Sequence, residues 1–113
     1  MIRYLDPLFT TKKTENRVEE IHRKIRTGAG MTGICLITVA TNGKDVLDIL
    51  PAPMMKQPSF RKRDLDVVGI AEDKDAAFEL VGRIFAEYQK TFSTYTGLRE
   101  ALLAQFAGQE REN

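Results

Sequence analysis

The chain has 113 residues, 42% of them hydrophobic and 29% charged, and a formal net charge of +1, the size and balance of one globular domain with its own core. No apolar run reaches the roughly 20 residues of a membrane span, and Asp6 and Pro7 stand where a signal peptide needs an apolar stretch, so a cytoplasmic protein is expected. A single cysteine excludes an internal disulfide framework.

Residues 1–5, "MIRYL", suit a short strand, which Pro7 confines to a sheet edge because it lacks a ladder donor. From Thr14 to Thr27, Val18, Ile21 and Ile25 make one apolar stripe of an amphipathic helix. Arg23, Lys24 and Arg26 favour the last turns through the helix dipole, and Gly28 suits the position after the helix end. Gly28, Gly30 and Gly33 spell a literal G-x-G-x-x-G. A dinucleotide fingerprint, however, runs strand, glycines, helix, with free N–H groups facing the pyrophosphate. Here a helix precedes the glycines and a strand follows, so they read as a helix stop, and no cofactor is expected.

Ile34–Ala40 is almost continuously apolar, as in a strand covered on both faces. Val46, Leu47 and Leu50 fit a short helix stopped by Pro51 and Pro53. The alternative is a hairpin turning at Asn42-Gly43, disfavoured because "DVLDIL" lacks clean alternation. Leu65–Ala71 is a second buried strand, in which Gly69 permits a helix to come close. Asp73 then caps a long helix with Ala77, Phe78, Val81, Ile84, Phe85, Tyr88 and Phe92 on its apolar face. A last helix over 97–107 buries Leu98, Ala101, Leu102 and Phe106, and 108–113 is expected to be a frayed tail.

The segments "RVEEIHRKIRTGAGMTGICLITVATN", "DVLDILPA" and "RKRDLDVVGIAEDKDAAFELVGRI" together resemble a family of short, uncharacterised bacterial proteins. Its pattern is helix, AG, apolar strand, Ser/Thr-Asn turn, LLDIIP, a basic approach, DLYVVGLA and a long helix. The resemblance covers roughly residues 10–95 and implies an α/β fold, with no function attached. Asp66 departs from it, standing where the pattern has an aromatic residue.

Few residues suggest chemistry. Glu19 and His22 have the E-x-x-H spacing of di-iron bundles, but this is the chain's one histidine, so a helix-flank role is expected and no metal. Cys35 lies inside a hydrophobic strand and reads as core. Asp64 and Asp66 share a strand face but stand at its beginning, where open α/β sheets do not bind ligands. Three acids in "EDKD", residues 72–75, repel phosphate and suit helix capping. No catalytic residue emerges.

Two candidate sites remain. If the two strong strands are parallel, their carboxyl ends bring Thr41, Asn42 and Lys44 near Glu72 and Asp73, with Thr11 beside them, a rim for a small polar ligand. Lys56, Arg61, Lys62 and Arg63, with Phe60 interleaved, are the nucleic-acid candidate, without any recognised binding motif.

The expected fold is one α/β domain over 1–113, with a two- or three-stranded, mainly parallel sheet and three to four helices. So small a sheet leaves apolar helix surface uncovered, and the expected function is a non-catalytic binding or assembly domain that self-associates as a dimer. The alternatives are nucleic-acid binding through 56–63, and a ligand pocket or unrecognised enzyme at the strand ends. Residues 1–63 carry 12 basic and 6 acidic side chains and the remainder 5 and 10, a division that also suits association between copies.

Overall fold

The computed structural model describes residues 2–27, 33–40, 46–57, 64–90 and 97–112. In chain order these form β1 (Ile2–Thr10), α1 (Val18–Arg26), β2 (Cys35–Val39), β3 (Leu47–Pro51), a 3-10 turn (Ala52–Lys56), β4 (Leu65–Ala71), α2 (Lys74–Gln89) and α3 (Leu98–Glu112). The class is α/β, with three α-helices on one four-stranded sheet ordered β1-β4-β2-β3.

The sheet is mixed where a mainly parallel one was expected. β1 runs parallel to β4, while β2 is antiparallel to both β4 and β3. The two strong strands are thus neighbours of opposite direction, Cys35 facing Ala71 and Leu36 facing Ile70. Their connection is not a crossover helix: the expected helix around 46–50 is the strand β3, paired with β2 from Cys35↔Pro51 to Val39↔Leu47. The disfavoured hairpin is the observed arrangement, although its turn residues lie outside the described residues. The alternation missing from "DVLDIL" follows from burial of both faces: Leu47 and Ile49 pack on one side of the sheet and Leu50 on the other.

The same two-sided burial organises the whole domain. On one face, Cys35, Ile37, Val39 and Val68 meet Ala77, Leu80 and Ile84 of α2 and Leu98, Leu102 and Phe106 of α3. On the other, Leu36, Val67 and Ile70 meet Ile21 and Ile25 of α1 and Ala52 of the 3-10 turn. A strand residue alternates between these layers, which is why β2 and β4 read as unbroken apolar runs. Gly69 sits where β1 and α2 both press on β4, and a Cβ there would lie 3.0 Å from the Phe9 carbonyl oxygen and 3.2 Å from Leu80. The strand's glycine is therefore a contact requirement, as its position suggested.

Three boundaries differ from expectation. α1 begins at Val18, not Thr14, because residues 11–17 form turns, Glu15 N–H donating to the Thr11 carbonyl and Arg17 N–H to that of Thr14. β1 extends to Thr10, through a cis Asp6–Pro7 peptide and a register irregularity between Tyr4 and Phe9, and lies at the sheet edge as Pro7 requires. α3 continues through Glu112, so most of the supposed tail is helical. Gln109, within that tail, is tied to β1: its amide donates to the Tyr4 carbonyl at 3.0 Å and its oxygen accepts from Asp6 N–H at 2.7 Å.

Candidate functional site

The carboxyl ends of the parallel pair β1 and β4 are the place where an open α/β sheet offers a ligand site. Thr11, directly after β1, donates from its hydroxyl to the Glu72 carboxylate, directly after β4. Thr14 is fully buried; its hydroxyl donates to the Ile70 carbonyl at 3.0 Å and accepts from Thr11 N–H at 2.9 Å. Asp73 caps α2, accepting from Ala76 N–H at 2.7 Å. Each of these groups is engaged by its neighbours, so the cluster works as a clasp between strand ends.

The antiparallel register removes the reason for grouping Thr41, Asn42 and Lys44 with Glu72 and Asp73. β2 leaves the sheet toward the beginning of β4, whereas Glu72 and Asp73 follow its end, beside Gly33 and Ile34. Thr41, Asn42 and Lys44 themselves lie outside the described residues, as do Gly28, Gly30, Phe60, Arg61, Lys62, Arg63 and Phe92. Lys56 is described only as the last residue of the 3-10 turn. Gly33 is described, and its φ of +89° is a conformation that favours glycine. The order helix, glycines, strand is the one observed, α1 preceding Gly33 and β2 following it.

Among the described residues, a groove of about 650 Å³ lies between the first turns of α2 and the strands β2 and β3, bounded by Cys35, Leu47, Ile49, Asp73, Lys74 and Phe78. Its lining is mainly apolar. Cys35 is 5% exposed, and burial, reinforced by the Asp73 charge, pushes its thiol pKa up, so the sulfur stays protonated and a poor nucleophile. Phe78 stands on the groove's lip with 58% of its surface exposed, the one large hydrophobic so exposed among the described residues. Elsewhere on the helical layer, Val81, Phe85, Tyr88 and Leu103 are partly buried against the core that α2 and α3 share over the four-stranded sheet. Leu80 occupies the buried stripe of α2 and Phe78 does not, because the helix turns its 77, 80 and 84 positions to the sheet.

The remaining sequence candidates resolve into packing. The His22 ring stacks on Tyr4, centroids 3.6 Å apart, and its buried Nε2 has no hydrogen-bond partner, so burial lowers its pKa. Desolvation also raises the Tyr4 pKa to about 12. Glu19 remains exposed. Asp66 pairs with Arg3, its register partner on β1, at 2.6 Å. This cross-strand ion pair gives the acid at position 66 a structural role at the sheet edge. No group of three His, Cys, Asp or Glu side chains suited to a metal forms among the described residues, and no described helix is long and apolar enough to cross a membrane.

Sequence reasoning missed the groove and the two glutamines of α3, Gln105 and Gln109, that reach β1. The groove had no local signal, since it needs β3 to be a strand. The glutamines had only their polar character within a helix face, which says nothing of a partner some hundred residues away. Comparison with protein families, with curated proteins and with solved structures finds no match to this chain.

Proposed function

We propose that this protein is a non-catalytic assembly domain that associates with a second copy of itself through the α2–β3 face. The observation that carries the reading is Phe78: a phenylalanine more than half exposed, on the lip of an apolar groove and beside an edge strand. An exposed aromatic next to apolar surface loses little entropy and gains much buried area when covered, and such residues anchor interfaces. The groove bears charges of both signs, Asp48, Asp73 and Lys74, and the chain's formal net charge is only +1, so two copies meet without strong repulsion.

The chemistry around the groove favours binding over catalysis. Its thiol is held protonated, its Asp73 carboxylate is occupied as a helix cap, and its floor is aliphatic. Sedimentation equilibrium tests the reading: the 12.8 kDa chain is expected to sediment as a dimer, and Phe78→Ser to sediment as a monomer at the same micromolar concentration. Because Phe78 is exposed, the substitution should change folding stability by no more than about 0.5 kcal/mol. A wild-type chain that stays monomeric overturns the reading.

A further inference from the structure

The hydrogen-bond phase of β3 says how such a partner would be held. Ala40 N–H donates to the Val46 carbonyl and Ala52 N–H to the Ile34 carbonyl, both at the ends of the β2–β3 ladder. In an antiparallel pair the bonded positions alternate, so Val46, Asp48, Leu50 and Ala52 turn their backbone groups toward β2. Leu47, Ile49 and Pro51 turn theirs outward, and β3 is the last strand on that side of the sheet. Among the described residues nothing bonds to the outward groups of Leu47 or Ile49.

We infer that β3 pairs antiparallel with β3 of a second copy, about a two-fold axis at Ile49, so that two four-stranded sheets become one of eight. This rests on the self-association reading above and specifies its geometry. The outward groups are self-complementary in that register. The two Ile49 residues exchange both N–H···O=C bonds, and each Leu47 N–H meets the carbonyl of the partner copy's Pro51, which lacks only a donor. Asp48 selects the register. Centring the pair one residue earlier makes as many bonds but sets the two Asp48 carboxylates directly opposite, where like charges repel. Centring on Ile49 places each Asp48 opposite a leucine, Leu50, and leaves the two carboxylates diagonal.

The side chains agree with this pairing. An antiparallel two-fold runs perpendicular to the sheet, so both copies keep α2 on the same side. Leu47 and Ile49 lie on that side, packed with the α2 layer, and the groove that they line runs up to Phe78. Both Phe78 rings and both grooves therefore flank the joint on one face, where each ring can cover apolar surface of the other copy. This symmetric arrangement favours a second copy over an unrelated extended peptide, which would satisfy the backbone but leave Phe78 without its counterpart.

Amide hydrogen exchange of the full chain, followed residue by residue by NMR at low and high protein concentration, tests the pairing. The Leu47 and Ile49 amides are expected to gain at least about tenfold protection as concentration rises, while amides inside β2 and β4 stay constant. Ile49→Val is expected to remain dimeric and Ile49→Pro, which removes the central donor, to be monomeric; should the proline variant not fold, the exchange pattern of the unmodified chain decides. A dimer whose Leu47 and Ile49 amides exchange equally fast at both concentrations overturns strand pairing and leaves self-association standing. A monomer at every concentration overturns both.

Discussion

The two edges of the sheet are finished in different ways. At β1, side chains from the helical layer reach the outer backbone: Gln109 bonds the Tyr4 carbonyl and Asp6 N–H, Gln105 the Asp6 carbonyl, and Arg83 the Thr10 carbonyl. Arg3 of the same strand lies 5.2 Å from the centre of the Phe106 ring, which anchors α3 against the sheet. At β3 the described residues supply a charge, Asp48, a proline at the strand's end, Pro51, and beside them the exposed Phe78. An unpaired edge is a template for another strand. Among the described residues one edge is thus covered by long-range side-chain bonds and the other is aliphatic and uncovered, the contrast on which the proposed association rests.

The harshest way to break this contrast is to remove what holds α3 on the sheet. Phe106 is 1% exposed, and Phe106→Ala is expected to lower stability by about 3–5 kcal/mol, the usual cost of emptying so large a site. Urea denaturation measures it, and a loss below about 1 kcal/mol would show that α3 is not firmly seated. A gentler cut leaves the helix and removes only the seal. Gln109→Ala should cost about 1 kcal/mol, discounted for its partial exposure, and should speed hydrogen exchange at the Asp6 amide. An unchanged Asp6 amide would mean that the edge is protected by something else.

The smallest expected effect lies on the inner face of the same strand. His22, packed on Tyr4, has a folded-state pKa below its ordinary 6.5, because burial disfavours the imidazolium; Glu19 opposes the shift and Arg26 adds to it. The unfolded chain therefore binds the proton more readily than the folded one. The His22 contribution to stability is therefore constant above pH 6.5 and declines as the pH falls through that value. His22→Gln should flatten the slope between pH 6.5 and about 5, above the range where carboxylates titrate. A variant with the same slope as the parent would remove His22 from the acid sensitivity.

Elements whose character is local were legible in the sequence. Leu65–Ala71 and the Asp73 cap emerge as expected, because an apolar run and a capping residue act within a few positions of themselves. The direction of β2 was not legible, since an unbroken apolar strand has the same composition whether it runs parallel or antiparallel to its neighbour. That one ambiguity carried the proposed ligand rim with it. β3 reads as a helix for a related reason: burial on both faces erases the alternation by which a strand is recognised. Gln109 was lost to the expectation of a frayed tail, which looked only at polarity, while its partners Tyr4 and Asp6 stand at the other end of the chain.

The parallel pairing of β1 with β4 also orders events in time. β2 and β3 are joined by a short link and can zip together locally, and β4 joins them across a modest loop. β1 must wait for a partner 63 residues further on, Arg3 meeting Asp66, and its glutamine clamp for one 103 residues away. Loop closure taxes each delay. Loop closure therefore favours the β2–β3 hairpin with β4 as the earlier unit, and β1 with α3 as the later one. Until β1 docks, the edge of β4 that it covers in the finished sheet has no strand beside it.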